Sequence, residues 1–253
     1  MPEEIKLSVS IITFNEEKNI ERTLKAVEGI ADEIVIVDSG STDQTVQIAN
    51  NHGARVFIEE WKGFARQKNF ALEKCSGEWI LMLDADEQIT PELADEISDV
   101  MKDPAADAYL INRKTFYIGK LMNYAWQPDW NLRLSKRSAS PVWKGEAAHE
   151  YLSINGSAKK LKGNIIHYSY SGIRHHFEKT ISYAEISAKG YYNKGKRAGV
   201  INILLNPFYA FLRLYFIRLG FLDGLRGFIA AISSAFGTFL KYAFLWEIDR
   251  KEK

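Results

Sequence analysis

The sequence has a single cysteine and almost no net charge. Cys75 has no second cysteine to pair with, so an intrachain disulfide is excluded and the chain suits a reducing compartment. A lone cysteine after a helix is typical of a small core residue, which is the role we expect for Cys75. The 33 lysines and arginines balance the 32 aspartates and glutamates, so bulk charge does not favour nucleic acid as a partner. Residues 1–4 have neither the basic start nor the apolar core of a secretory signal, and we expect a cytoplasmic protein.

Long uninterrupted apolar runs are also missing, although the chain beyond residue 200 is strongly apolar. A membrane-spanning helix needs about 20 apolar residues. The tail is interrupted at Asn206-Pro207, Arg213, Arg218, Asp223 and Arg226. The longest clean run, 228–240, would measure only about 20 Å as a helix. We therefore expect no spanning helix.

The apolar tail is instead amphipathic. One helical face carries Phe228, Ile232, Phe236, Phe239, Ala243 and Trp246, and another carries Gly227, Ala230, Ser234, Gly237, Thr238 and Lys241. Such a helix can pack on the rest of the chain or on a second subunit of a homo-oligomer, or it can lie in a membrane interface. We favour peripheral contact with the inner face of the cytoplasmic membrane, because residues 159–197 hold nine basic residues against two glutamates.

Strand-like and helical segments alternate in the first 100 residues, which predicts an α/β fold with parallel strands buried on both faces. The expected strands are 7–14, 33–38, 55–58 and 79–84. The expected helices are 19–27, 42–51 (begun by a Ser41/Gln44 capping box), 64–74 and 91–101 (begun by Thr90-Pro91). Further strands at 108–113, 131–135 and 164–168 extend the sheet. We expect one α/β domain over 1–170, divided at about residue 100, and a helical C-terminal region over 171–253.

Polar residues follow three of these strands, at the sheet edge where open parallel sheets bind ligands. Asp84 and Asp86 flank one alanine directly after an apolar strand, and carboxylate oxygens suit Mg²⁺ or Mn²⁺ with diphosphate completing the shell. The competing interpretation is a solvated turn or a cap for the next helix. Asp38 can bind a base edge or a ribose, or cap a helix. Thr13 and Asn15 can contact a nucleotide or cap the helix that follows them.

Five short motifs carry a family resemblance. They are Ile12-Thr13-Phe14-Asn15-Glu16-Glu17, Ile36-Val37-Asp38-Ser39-Gly40-Ser41-Thr42-Asp43, Lys68-Asn69, Gly77-Glu78-Trp79-Ile80 and Leu83-Asp84-Ala85-Asp86-Glu87. In this order and spacing they resemble the family 2 glycosyltransferases. That resemblance implies a GT-A (Rossmann-like) fold, a mixed and mostly parallel sheet flanked by helices, here with a C-terminal helical extension. It also implies that the domain over 1–170 is catalytic, with a nucleotide-sugar half to about 100 and an acceptor half over 101–170.

A narrower resemblance runs further along the chain. It is carried by Trp61-Lys62-Gly63-Phe64, Gln67-Lys68-Asn69, His149-Glu150, Ile166-His167-Tyr168-Ser169, Gly220-Phe221-Leu222-Asp223-Gly224 and Lys241-Tyr242. These resemble the enzymes that add glucose to the heptose of the lipopolysaccharide inner core. The resemblance implies transfer of a hexose from a UDP-sugar to a lipid-linked saccharide. The Gln-x-x-Arg-Trp motif of processive synthases is absent, which favours transfer of a single sugar.

The resemblance also implies roles for individual residues. Thr13, Asn15 and Asp38 would hold the uridine, Lys68 and Asn69 would lie near the ribose or base, Asp84 would contact ribose or metal, and Asp86 would bind the metal. Asp38-Ser39 stands where many members have two aspartates, and Lys68-Asn69 where many have Arg-Asn, so the uracil contacts stay open.

An inverting transfer needs a general base for the acceptor hydroxyl. The candidates are Asp129, Glu146, His149 and Glu150. We expect Glu150 to be the base, with His149 beside it for diphosphate or acceptor contact, and a surface ion pair is the alternative. His167 is either a core residue or a diphosphate or metal ligand. The aromatic residues Phe116, Tyr117, Tyr124, Trp126, Trp130 and Trp143 are either sugar-stacking platforms or core.

Two other functions compete with transfer. A nucleotidyltransferase that makes sugar nucleotides would favour a glycine-rich basic loop after the first strand, and residues 13–17 form no such loop. A non-catalytic nucleotide-sugar-binding protein would not need Asp84, Asp86 and Glu150 together.

Overall fold

The computed structural model describes residues 6–145 and 150–251 and divides them into two compact units. The first unit comprises 6–113 and 129–167, and the second comprises 114–128 and 168–251. The described strands are β1 (Leu7–Thr13), β2 (Glu33–Asp38), β3 (Arg55–Ile58), β4 (Trp79–Asp84), β5 (Glu87–Ile89), β6 (Ala108–Tyr117), β7 (Lys120–Leu121), β8 (Trp130–Lys136), β9 (Val142–Lys144), β10 (Tyr151–Ser153) and β11 (Ala158–His167). The helices are α1 (Ile20–Val27), α2 (Thr45–Asn51), α3 (Phe64–Lys74), α4 (Pro91–Lys102), α5 (Ile173–Asn193), α6 (Val200–Leu212) and α7 (Leu225–Lys251).

The main sheet is mixed, with strand order β3-β2-β1-β4-β8-β6-β11-β5 and β7 paired to β6. Strands β1 to β4 pair in parallel, whereas β8 joins β4 in antiparallel orientation. A separate antiparallel pair joins β9 to β10. This architecture confirms the predicted GT-A class, including its C-terminal helices.

Both faces of β1, β2 and β4 are buried, as the uninterrupted apolar pattern predicted. The same prediction is wrong for β3, which lies at the edge of the sheet and exposes Arg55 and Ile58. Alternate residues of β4 enter different cores: Leu81 and Leu83 pack in the larger cluster with Leu24 of α1, and Ile80 and Met82 pack in a second cluster with Leu72 of α3. The opposite pointing of successive strand side chains produces this division. Burial fixes the register, so the carboxyl ends of β1, β2 and β4 are held at one edge.

The helix after β2 starts later than its sequence pattern suggested. The expected capping box at Ser41 and Gln44 is wrong, because α2 begins at Thr45. The Asp43 carboxylate caps this turn by accepting from the Thr45 amide at 3.0 Å. Ser41 instead joins two loops, since its Oγ accepts from the Asn15 amide at 2.7 Å and donates to Asp38.

Other element boundaries shift by smaller amounts. Helix α4 confirms the Thr90-Pro91 start, with Thr90 Oγ1 accepting from the Leu93 amide at 3.3 Å. Strands β6, β8 and β11 are longer than expected, and the three-residue β5 was not predicted. Local composition does not reveal β5, which pairs with the distant β11.

The second unit contains the apolar tail. Helix α6 continues without interruption into a π-helical turn at Arg213–Ile217, with Pro207 inside the helix, and a 3₁₀ turn at Gly220–Asp223 leads into α7. Residues 200–217 and 225–251 are long and apolar enough, by length and composition, to cross a membrane. The expectation that the tail is too interrupted for this is therefore wrong, because neither Pro207 nor Arg213 ends the helix.

Candidate active site

The paired aspartates lie at the end of β4, as predicted. Asp84 is the last residue of the strand, and its amide donates to Glu87 Oε2 at 2.9 Å. The carbonyl of Ala85 accepts a bond of 2.8 Å from the buried Thr23 hydroxyl of α1. The turn is therefore held from both sides, which places the two carboxylates on a rigid base.

Asp84 lies between two cations. Its Oδ1 is 2.9 Å from Lys68 Nζ, and its Oδ2 is 2.9 Å from Arg133 Nη2. Burial alone would raise the pKa of Asp84, but the charges of Lys68 and Arg133 outweigh it and hold that pKa well below its usual range. Asp84 is therefore ionised, and each of its oxygens already has a partner.

A second buried carboxylate completes this network. Glu87 is fully buried and accepts from Arg133 at 2.7 Å and from Arg113 at 3.3 Å. Arg113 also contacts Asp129 at 2.8 Å. Sequence reasoning missed Arg113 and Arg133 as site residues, and it placed Glu87 at the sheet edge without a role of its own. One signal for Arg133 was present in the sequence. It is a charged residue within the strand-like run 131–135, where a buried strand would carry apolar residues.

Asp86 faces a different partner. Its Oδ2 is 3.2 Å from Nε2 of His167, and both side chains are 17% exposed. The β5–β11 register pairs His167 with Glu87, the residue after Asp86, and so fixes this approach. His167 is therefore at the site rather than in the core.

Glu150 joins the network through Lys68. Its Oε1 is 3.4 Å from Lys68 Nζ, and its other oxygen, Oε2, is buried. Lys68 thus bridges Asp84 and Glu150, and its Nζ lies 4.4 Å from the centroid of the Trp143 ring. Of the other candidate bases, Asp129 is already paired with Arg113. Residues 146 and 149, the remaining two candidates, lie outside the described residues.

Asn69 is engaged by backbone. Its Nδ2 donates to the Trp143 carbonyl at 2.9 Å, and its Oδ1 accepts from the Trp143 amide at 2.8 Å. These two bonds engage both the nitrogen and the oxygen of the amide, so Asn69 positions β9 beside α3. The structure brings Asn69 next to Lys68, and its contact with ribose or base stays a prediction.

The first two loops of the sheet edge are tied together. Thr13 pairs in register with Asp38 at the ends of β1 and β2. Asp38 Oδ1 accepts from the amides of Gly40 and Ser41, at 2.9 and 2.7 Å. Asn15 Oδ1 accepts from the Thr42 amide at 2.9 Å. Asp38 therefore shapes its own loop, and Asn15 locks that loop to β1.

Buried polar atoms with no partner gather at this edge. Within the described part of the chain, five buried side-chain atoms make no hydrogen bond, namely Thr13 Oγ1, Gln67 Oε1, Trp79 Nε1, Arg133 Nε and Glu150 Oε2. Four belong to residues at or beside the site, and only Trp79 stands apart in the core. Native proteins rarely leave such atoms unsatisfied without a functional reason. Their concentration here marks a site built around a polar ligand.

The donor set fits a divalent metal in part. Asp86 and His167 offer one carboxylate and one imidazole oriented towards each other, a combination that suits Mn²⁺ and less strongly Mg²⁺. Among the described residues no group of three His, Cys, Asp or Glu side chains forms a complete metal cage. Asp84 already has Lys68 and Arg133 on its two oxygens, so a metal there would share those oxygens with the two cations. The residues therefore fit a metal whose remaining ligands come from substrate and water.

Comparison with known proteins identifies the family. Residues 8–162 match the model of glycosyl transferase family 2. An uncharacterised glycosyltransferase of Rickettsia typhi is 34% identical, with 98% of this chain and 89% of that protein covered. The lipopolysaccharide core biosynthesis glycosyltransferase LpsC of Rhizobium meliloti is 31% identical, with 96% and 93% covered.

Solved structures share the fold at low identity. Mannosyltransferase PcManGT from Pyrobaculum calidifontis, in complex with GDP-Man and Mn²⁺, superposes with a TM-score of 0.56 at 16% identity over 96% of this chain and 88% of that one. S. aureus TarS 1–349 in complex with UDP-GlcNAc gives 0.52 at 17% identity over 98% and 93%. Fold, motif order and full-length similarity agree: the chain is a glycosyltransferase and belongs to glycosyl transferase family 2.

Proposed function

We propose that this enzyme transfers one hexose, glucose in the first instance, from a UDP-sugar to a lipid-linked saccharide such as lipopolysaccharide core, with inversion at the anomeric carbon. The observation that carries the proposal is the single charge network in which Lys68 joins Asp84 to Glu150 beside the Asp86–His167 pair. The relative named for lipopolysaccharide core biosynthesis supports the acceptor class.

The donor would lie along the carboxyl ends of β1, β2 and β4. Thr13, Asn15 and Asp38 would hold the uridine, supported by the unpaired Thr13 hydroxyl and the locked loop after β2. Lys68, with a cationic amine 2.9 Å from Asp84, would face the ribose and diphosphate. TarS, a fold neighbour, was solved with UDP-GlcNAc.

A divalent metal, Mg²⁺ or Mn²⁺, would be held by Asp86 and His167, with Asp84 shared between ribose and metal. When bound, such an ion neutralises negative charge on a departing diphosphate. Lys68 and the two arginines supply positive charge to the same region from the protein itself. Lys68 and Arg133 keep Asp84 ionised, and Glu87 helps to orient it by accepting a hydrogen bond from its amide.

Glu150 would act as the base. The acceptor hydroxyl oxygen forms a bond to the anomeric carbon, the bond from that carbon to the diphosphate oxygen breaks, and the hydroxyl proton passes to Glu150. UDP leaves with the bonding electron pair. The unpaired Oε2 provides the acceptor for that proton, whereas Asp129 is already held by Arg113.

The test compares two carboxylates. Purified protein is incubated with UDP-glucose, Mn²⁺ and a lipopolysaccharide core acceptor, and UDP release and the anomeric configuration of the product are measured. Glu150→Gln should lower turnover by at least a hundredfold and keep UDP binding, whereas Asp129→Asn should retain most turnover. Near-normal turnover by Glu150→Gln would remove Glu150 from the base role. Release of pyrophosphate instead of UDP would indicate a nucleotidyltransferase.

We further propose that the second unit contacts an anionic membrane from one side. Helix α6 exposes Val200 (69%), Ile201 (71%) and Leu204 (63%), and no residue of 200–217 is buried. Residues 186–222 contain six lysines and arginines and no acidic residue. Apolar area beside positive charge is the pattern of helices that lie in anionic interfaces.

Helix α7 supports the same orientation. Its small residues Gly227, Ala230 and Ala231 are buried, while Phe228 and Ile232 on the opposite face are each 41% exposed. A helix of a soluble domain normally buries its large apolar face. This distribution suits a lipid environment on the exposed face.

Flotation with phosphatidylglycerol-containing liposomes tests the membrane proposal. Ile201→Asp combined with Leu205→Asp should abolish co-flotation, because charged residues are costly at apolar depth. Ile58→Asp is the matched control, since Ile58 is 63% exposed in the first unit. Co-flotation that survives the double substitution, or that fails equally in the control, would contradict the assignment to α6.

A further inference from the structure

The second unit contains a cavity that the proposed transfer reaction does not use. It lies between α5 and α7 and has a volume of about 330 Å³, and its lining includes Trp126, His176, Ser187, Ser234 and Lys241. Its volume is within the range of small-molecule sites. All these residues belong to the second unit.

The two helices run in the same direction along the cavity. Thr180 bonds to Ser233 at 2.8 Å near one end, and Tyr191 meets Tyr242 beyond the other. Gly237 permits this close approach, because a Cβ at that position would lie 2.8 Å from the Thr180 methyl. His176 and Ser187 are eleven residues apart on α5, so the cavity is roughly 16 Å long.

One end of the cavity is aromatic. The Trp126 ring packs against His176 with centroids 5.6 Å apart. His176 is only 3% exposed, and its Nδ1 is 2.8 Å from the Tyr117 hydroxyl. His176 therefore presents its ring, and Trp126 its indole, to this end of the cavity.

The other end of the cavity carries a cation. Lys241 Nζ lies 4.8 and 4.6 Å from the ring centroids of Tyr191 and Tyr242. Within residues 6–145 and 150–251 it forms no ion pair with a carboxylate. Between the two ends, Ser187 and Ser234 line the cavity with hydroxyl groups that make no hydrogen bond to other described residues. Packing of α5 against α7 through small residues does not require these hydroxyl groups or the lysine.

We propose that this cavity binds a phosphorylated saccharide, with the phosphate at Lys241, the first sugar at Ser187 and a further sugar ring against Trp126 and His176. A lysine amine is a donor suited to phosphate oxygens. The serine hydroxyls match sugar hydroxyls, and an indole ring offers an apolar face with limited loss of conformational freedom. The evidence for a ligand site in this cavity comes from the residues that line it. The assignment of the ligand to the acceptor glycolipid rests on the proposed function.

Ligand-observed saturation-transfer NMR on the full chain in phosphatidylcholine nanodiscs tests this site. The probes are glucose 6-phosphate, glucose, inorganic phosphate and glycerol 3-phosphate. Glucose 6-phosphate should bind saturably. Lys241→Gln should weaken it on the order of tenfold, the loss expected for one charge-assisted hydrogen bond. The control Lys251→Gln, at an exposed position of the same helix, should leave it unchanged.

Each other outcome overturns part or all of the proposal. The site would be refuted if glucose 6-phosphate did not bind saturably, or if it bound Lys241→Gln as tightly as the unchanged protein. Displacement of glucose 6-phosphate by UDP would also refute it. Equal affinity for glycerol 3-phosphate would refute the saccharide assignment and indicate a phospholipid head group. Ser187→Ala should weaken the binding of glucose 6-phosphate more than the binding of inorganic phosphate. Thermal melts followed by circular dichroism check that each variant folds. UDP binding is measured in parallel, so failure of the proposed function is seen separately.

Discussion

Replacing Arg133 by methionine should destabilise the first unit strongly. Arg133 is buried in β8 and donates to Asp84 and to the fully buried Glu87. Methionine fills similar volume but leaves Glu87 with Arg113 at 3.3 Å as its remaining cation. Removing one partner of a buried pair costs about 3–5 kcal/mol, because the other charge stays buried without compensation.

Urea unfolding followed by circular dichroism measures this cost. At 2–4 °C per kcal/mol for a chain of this size, the same loss corresponds to a decrease in melting temperature of roughly 6–20 °C. The double variant Glu87→Met with Arg133→Met should recover at least half of the loss, since the uncompensated carboxylate is gone. Lys102→Met, which removes an exposed pair with Asp99, should change nothing measurable.

Two results would refute this reasoning. A loss below about 1 kcal/mol for Arg133→Met would mean that water or a rearranged Arg113 satisfies Glu87 readily. A double variant no more stable than the single one would mean that the cost comes from packing in β8 and not from the charge on Glu87. In either case the arginine would no longer explain why Asp84 is held in place.

Three further predictions follow from single side chains. Burial raises the pKa of the Cys75 thiol to about 12, so iodoacetamide at pH 8 should not label the native protein in a mass-spectrometric assay; rapid labelling would contradict its core position. Burial lowers the pKa of His176 from 6.5 to about 4, so the unfolded chain binds more protons between these values and stability should fall as pH drops from 6.5 to 4, by at most about 3 kcal/mol. If melting curves of His176→Gln show the same loss of stability between pH 6.5 and 4, His176 is not the source of that loss. Gly163→Ala places a Cβ 2.6 Å from the backbone of Leu93 and should cost about 1–3 kcal/mol, while Gly29→Ala, with open space around it, should be neutral in the same denaturation assay.

The sequence predicted the sheet edge because its evidence is local. Short apolar strands ending in polar residues give both the parallel sheet and the positions of Thr13, Asp38 and Asp84, since strand ends of a parallel sheet meet at one edge. The first residues of the helices were predicted less accurately. The Ser41 capping pattern was wrong because Asp38 and Asn15 recruit that serine across two loops, a competition that one loop alone does not reveal.

By itself, then, the sequence determined the fold class, the family and the position of the aspartate pair, because periodicity and motif spacing are properties of neighbouring residues. Only the tertiary structure decided what surrounds the pair. The antiparallel register of β5 and β11 brings His167 to Asp86, and strand β8 carries Arg133 to Asp84 from 49 residues away. Such contacts depend on strand pairing between distant segments, and no local pattern encodes them. In the same way, the packing of α5 against α7 decided where the cavity of the second unit lies.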